Sequence, residues 1–168
     1  MTDMSDSPIG QSLRRREDQR FLTGAGQYVD DVVLPGQSYG FFLRSPYAHA
    51  RINRINLDAA KAAPGVLHIF TGADLAEAKV GGLPCGWLIT SKDGTPMKEP
   101  PHPALAQGKV RHVGDQVALV VAETYLQARD AAEAIEVDYD ELTPVIDITT
   151  VESAGAAVHD EAPDNVCY

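Results

Sequence analysis

From Gly108 to Val145 the chain reads GKVRHVGDQVALVVAETYLQARDAAEAIEVDYDELTPV, and this stretch restricts the possible fold more tightly than any other. Val110, His112 and the apolar run Val117 to Ala122 flank Gly114-Asp115, whose leading glycine can take the positive φ of a hairpin turn. Two antiparallel strands are expected there. The run has no polar alternation, which fits a strand covered on both faces; a buried helix segment would share that pattern, but β-branched content and the preceding glycine favour the strand. Thr124 stands three residues before Gln127, the spacing of a capping box in which hydroxyl and amide satisfy backbone donors at a helix start. Ala128, Ala131, Ala132 and Ile135 follow at i, i+3, i+4 and i+7, a narrow stripe small enough to lie close against a sheet. Ile135, Val137 and Tyr139 then alternate with Glu136, Asp138 and Asp140, the period of a strand with one wet face, until Leu142-Thr143-Pro144 stops it.

The same grammar appears upstream. Gln37 to Ser45 reads as an apolar strand closed by Ser45-Pro46, because the residue before proline is pushed out of the helical region. The segment from Ala48 to Ile55 leads to Asp58, the expected N-cap of a short helix Ala59 to Ala63 that Pro64-Gly65 ends. Val66 to Phe70 is a further strand, and Thr71 to Asp74 a second cap. Residues 80–108 break the pattern with five of the eleven prolines and no clear period. So long a connection is expected to be a binding or packing excursion, or a mobile loop. Trp87, the single tryptophan, lies inside it, either packed back on its own domain or docked on a neighbour.

At 168 residues the chain suits one domain with a core of its own. No segment approaches the roughly 20 apolar residues that span a bilayer, and the start MTDMSDSPIG lacks the basic and apolar regions of a secretory signal. The expectation is a cytoplasmic chain without a membrane partner, disordered over residues 1–8. Cys85 and Cys167 lack C-x-x-C spacing and are read as reduced thiols. Residues 130–168 carry eleven acidic side chains and no Lys or Arg, and the whole chain has a net charge of −10. Such a balance disfavours nucleic acid, and makes the acidic third a solvated face or a surface that meets a basic subunit.

Motifs that carry chemistry are missing. Gly24-Ala25-Gly26 lacks the third glycine and preceding strand of a dinucleotide loop, and Gly108-Lys109 is followed by valine where a phosphate loop needs Ser or Thr. His49, His68, His102, His112 and His159 show no metal-ligand spacing. Asp30-Asp31 and Asp138, Asp140, Glu141 are better explained by a turn and a wet strand face than by acid–base catalysis. No catalytic, cofactor-binding or metal-binding residue is therefore expected.

The order of several motifs resembles the N-terminal α/β hammerhead domain of the molybdopterin-binding large subunit in the xanthine dehydrogenase, aldehyde oxidase and carbon monoxide dehydrogenase family. Ile9-Gly10, Arg15, Glu17-Asp18, Thr23-Gly24 and Tyr28 to Asp31 are similar to its opening. Arg44-Ser45-Pro46-x-Ala48-His49-Ala50 is similar to its R-S-P-x-A-H-A motif, and Pro64-Gly65-Val66 with Thr71-Gly72-x-Asp74-Leu75 to its P-G-V and T-G-x-D-L motifs. Val110 to Gly114 and Val137-Asp138-Tyr139 complete the order. Among the branches, the bacterial subunits related to carbon monoxide dehydrogenase look most similar.

The resemblance implies an α/β (α+β) hammerhead over residues 9–148, with a mixed or antiparallel sheet and two main helices packed on it. Residues 149–168 would then be an acidic tail leading into a molybdopterin-binding region that lies beyond this sequence. It also implies a parent oxidoreductase that hydroxylates aldehydes or N-heterocycles, or oxidises carbon monoxide, with water as oxygen source. Molybdopterin with molybdenum, iron–sulfur clusters and FAD would serve that parent, none of them held here. Expected partners are the remainder of the large subunit and the iron–sulfur and flavin subunits or domains. The piece alone is expected to be inactive, an excised domain or half of a split subunit, with Arg15, Asp18 and Trp87 as interface residues and Arg15 with Asp18 as a charge pair. The alternative is a free-standing α/β binding or adaptor module without enzymatic activity.

Overall fold

The computed structural model describes residues 10, 12 and 14–168, so the disorder expected over residues 1–8 and the match at Ile9 lie outside the described residues. The chain divides into two units, Met1–Gln37 and Ser38–Tyr168. In the first, helix α1 (Asp18–Leu22) ends where the Thr23 hydroxyl donates to the Gln19 carbonyl at 2.7 Å. A 3-10 turn at Val29–Asp31 follows, closed by the Asp31 carboxylate accepting the Tyr28 N–H at 2.9 Å. Neither element buries a residue.

The second unit runs β1 (Tyr39–Arg44), β2 (Ala50–Asn56), α2 (Asp58–Lys61), β3 (Val66–Thr71), α3 (Gly72–Glu77), β4 (Lys109–Val110), β5 (Gln116–Ala122), α4 (Tyr125–Glu133) and β6 (Glu136–Glu141). Of the two sheet types expected, the antiparallel one is realised, as two three-stranded sheets ordered β1-β5-β3 and β4-β2-β6. The apolar run is the central strand of the first sheet, with Phe41 and Ile69 both in register with Val120. Helix α4 lies on this sheet through Ala128, Ala131 and Ala132, all fully buried against Ala118, Val120 and Ala122. A second cluster of Ala50, Ala106, Val110 and Val117 sits beside the other sheet, and Leu43, Ile55 and Val137 pack against both.

Local signals act at the starts of α3 and α4. The Thr124 hydroxyl accepts from the Gln127 N–H at 3.3 Å and donates to the Gln127 side-chain oxygen at 2.9 Å, a cap of the kind that contributes about 1 kcal/mol. The Gln127 amide thus meets the hydroxyl, not the N-cap backbone. At α3, Thr71 donates both its N–H and its hydroxyl to Asp74, each at 2.6 Å. These bonds, the hydroxyl's foremost, hold the Asp74 carboxyl below its usual 3.8. Its contribution to stability is present above 3.8 and is lost as pH falls from there through the lower folded value. Asp74→Asn should therefore flatten the acid limb of a Tm-against-pH curve slightly, since the group is exposed; an unchanged limb would show that the cap contributes nothing to acid stability.

Two expectations need correction. Gly114 does take a positive φ, 87°, but the strands on either side of the turn do not pair with each other. Both edges of β5 are occupied by β1 and β3, so β4 joins β2 instead, with Val110 opposite Ala50. The turn's main-chain groups bond to Ser45: Gly114 N–H donates to its carbonyl, and its N–H donates to the Asp115 carbonyl, both at 2.8 Å. The short helix also starts earlier than expected, at Asp58 with Leu57 as N-cap, because the Asn56 side-chain oxygen takes the Asp58 N–H at 3.2 Å.

Candidate functional site

With the core satisfied by alanine and valine, most of the larger apolar side chains are left outside it. In the first unit Leu22, Val29, Val33 and Leu34 are exposed. In the second, Val80, Leu83, Trp87 and Leu88 project from the 80–108 excursion, and Ile146 and Ile148 follow β6. Scattered exposed leucines need no explanation, but runs of them on irregular segments mark surfaces made for contact.

The excursion presents its apolar residues from anchored backbone. Leu83 N–H donates to the His102 carbonyl at 2.8 Å, and the two strands pass so closely at Gly82 that a Cβ there would lie 2.6 Å from the same oxygen. Cys85 N–H donates to the Glu99 carboxylate at 3.1 Å and its thiol to the Trp87 carbonyl at 3.4 Å. A hairpin tip follows, with Ser91 N–H on the Thr95 carbonyl at 2.9 Å and the Asp93 carboxylate held below its usual range by the backbone and hydroxyl of Thr95. Between these fixed points Trp87 stands 80% exposed, so it does not pack back on its own domain.

The acidic C-terminal segment lies along the same excursion. Asn165 gathers it into a loop, accepting from Val158 N–H at 2.9 Å and donating to the carbonyls of Val151 and Ala156 at 3.1 and 2.8 Å. Lys98 bonds Asp164 at 2.7 Å, and Lys109 bonds Asp160 at 2.8 Å; each lysine holds its carboxyl below the usual range. Exposed pairs of this kind set register more than they add stability.

The groups able to do chemistry are scattered. Asp138 and Asp140 are exposed on β6 in register with Arg54 and Arg51 of β2, which sets opposite charges across the two strands. His49 is buried, and its Nδ1 donates to the Thr143 carbonyl at 2.9 Å, which fixes the tautomer and leaves Nε2 without a partner. His68 packs at a tilt against Phe70 with ring centroids 4.3 Å apart. Among the described residues no group of three or more His, Cys, Asp or Glu is placed to hold a metal ion. Two cysteines on separate segments cannot furnish the four thiolates that the common iron–sulfur clusters take, and a Cβ at Gly26 would already meet the Phe21 ring at 2.5 Å. Among the described residues the cysteines do not fit an iron–sulfur cluster.

Of the three residues expected at an interface, Trp87 lies in the second unit, while Arg15 and Asp18 lie at the start of α1. Arg15 is exposed and Asp18 half-buried, and the Asp18 N–H donates to the Arg15 carbonyl at 3.2 Å. The side-chain ion pair in that unit, among the described residues, is Arg20 with Glu17 at 2.8 Å. Arg111, His102, His112 and His159, to which the sequence assigns no shared role, line one cleft. His159 lies far from the other three in sequence, so no spacing records the cluster.

Among the described residues no helix is long and apolar enough to cross a membrane. A family model described as aldehyde oxidase and xanthine dehydrogenase, a/b hammerhead domain, matches residues 23–143. The chain is 40% identical over 139 residues to the carbon monoxide dehydrogenase large chain of Afipia carboxidovorans, a match covering 83% of this chain and 16% of that one. It is 38% identical over 142 residues to the xanthine dehydrogenase molybdenum-binding subunit of Escherichia coli, covering 84% and 18%. The crystal structure of quinoline 2-oxidoreductase from Pseudomonas putida 86 superposes with a TM-score of 0.77 at 42% identity, covering 90% of this chain and 19% of that chain. The chain therefore spans less than a fifth of the length of these relatives.

Proposed function

We propose a function from one premise: the chain belongs to the aldehyde oxidase and xanthine dehydrogenase family, as its α/β hammerhead domain. It serves as a structural and interface domain of a molybdenum hydroxylase large subunit, an oxidoreductase of which this domain is not the catalytic part. The observation that carries this reading is the pairing of a finished core with apolar side chains displayed on anchored backbone, Trp87 above all. Among the described residues no metal-ligating group is gathered, so the rest of the subunit would hold molybdopterin, and iron–sulfur and flavin partners the remaining centres. The chemistry, hydroxylation of aldehydes or N-heterocycles or oxidation of carbon monoxide, would take place there, in the cytoplasm. The first unit, which buries nothing in its own helix or turn, fits an arm laid on that remainder, with Arg15 and Asp18 at its contact. The Escherichia coli relative, a xanthine dehydrogenase molybdenum-binding subunit, supports the assignment.

Supplying the 168-residue chain in trans to a large subunit lacking its hammerhead tests this reading. The expected result is a stable complex whose oxidoreductase activity depends on the added chain, while the chain alone turns nothing over. A chain that remains monomeric beside the truncated subunit, and restores no activity, would overturn it. In the same assay Arg15→Ala should weaken association by a few-fold, the scale of a charge contact at an interface rim. Unchanged association would return Arg15 and Asp18 to the status of solvated charges.

A further inference from the structure

The excursion and the C-terminal segment enclose a cleft of about 280 Å³ in which donors outnumber acceptors. Arg111 enters it just after β4, pinned by its Nε, which donates to the Val158 carbonyl at 3.2 Å. Its two terminal amino groups have no hydrogen-bond partner among the described residues. His102 and His112 also line the cleft, and His159 faces it from the C-terminal segment with an Nδ1 that is out of solvent and unpartnered. Asp115, the one carboxylate of the lining, is engaged: it accepts the Arg111 N–H at 2.9 Å and stands 3.8 Å from His112 Nδ1. Of the three cations between residues 98 and 111, Lys98 is matched by Asp164 and Lys109 by Asp160. Arg111 has no carboxylate side chain bound to it among the described residues, in a chain whose net charge is −10.

Asp160 feels the charge of Arg111 but is bonded to Lys109, so the guanidinium fork is left ungripped, and its planar shape matches a carboxylate in two parallel hydrogen bonds. The cleft lies at the lower edge of small-molecule sites, which run from roughly 300 Å³ upward, so it suits one side chain or a small acid better than a nucleotide. We propose that this cleft binds a carboxylate, gripped by the terminal N–H groups of Arg111 with the imidazoles of His159 and His102 as further donors. The carboxylate belongs either to an acidic side chain of a neighbouring polypeptide or to a small free acid. The proposal stands on this chain's own geometry and does not rest on the family reading.

The test follows the histidine ring resonances of the 168-residue chain by NMR during titration with sodium acetate, and separately with sodium phosphate, at matched ionic strength and neutral pH. Acetate should move His102, His112 and His159 saturably and leave His68, packed against Phe70, in place. Arg111→Gln should weaken the response at least about tenfold and Arg111→Lys less, whereas Arg129→Gln, which alters an exposed pair on α4, should preserve it. An unaltered backbone amide spectrum outside the cleft confirms that each variant is folded. Absence of a saturable acetate response, or an equal response in Arg111→Gln, overturns the proposal; preference for phosphate overturns the assignment to carboxylates. In the assembled large subunit, histidines that no longer respond to acetate identify a neighbour's carboxylate as the occupant, and histidines that still respond identify a free acid.

Discussion

Val120→Asp is expected to abolish the cooperative unfolding transition of the second unit. Val120 is fully buried at the centre of β5, in register with Phe41 on one side and Ile69 on the other, and beneath the alanines of α4. A carboxylate there would lose its water with no cation among the cluster residues to receive it. The penalty for an unpaired buried charge exceeds about 4 kcal/mol even after the group protonates and the surroundings relax, against a total stability on the order of 5–15 kcal/mol for a domain. Val120→Ala, which only removes two carbons and leaves a small void, should cost about 2 kcal/mol and keep a transition at lower Tm. Denaturant melts of both variants, followed by far-UV circular dichroism, decide the matter. A sharp, near-native transition in Val120→Asp would mean that β5 is not the central strand of its sheet.

The position of Val120 was legible in the sequence because every signal around it is local. An unbroken apolar run, a threonine cap two residues later and alanines at helical spacing all lie within one short stretch, and each agrees with the others. The pairing of β4 was not legible for the opposite reason. β4 competes for the edges of β5 with β1 and β3, which come from 39–44 and 66–71, and the contest is settled by which edges remain free. The same limit hid the cleft. Arg111 and His159 meet because Lys98, Lys109 and Asn165 hold the C-terminal segment against the excursion, and no periodicity in either segment records that meeting. The capping at Thr71 and Asp74, three residues apart, could be read directly, whereas the helix start at Asp58 was displaced by a single bond from Asn56. Trp87 lies between these cases: its presence in an irregular, proline-rich stretch was plain, but only the fold shows that it faces outward.

Trp87→Ala is expected to weaken association with the remainder of the large subunit by between about 30-fold and 1000-fold, the 2–4 kcal/mol typical of an aromatic anchor, while leaving the Tm of the isolated chain unchanged. The two halves of that expectation come from one fact. At 80% exposure the indole contributes little to this chain's own stability, so truncating it leaves the folded and unfolded chains almost equally affected. In a complex the same ring would bury more area than any of the largest fully buried side chains here, which are valines. Its loop is already held, by Glu99 on the Cys85 N–H and by Met97 on the Ile89 carbonyl, so docking would order little additional backbone and more of the buried area would appear as affinity. Leu88→Ala beside it should cost less, because a leucine carries less area and no ring. Isothermal titration of the truncated subunit with each variant, alongside thermal melts of the variants alone, separates the two effects. If Trp87→Ala lowered the Tm of the chain by several degrees and left association unchanged, the ring would belong to the domain's own packing, and the docking surface would have to be sought on the arm before Ser38, where Leu22, Val29 and Val33 are exposed.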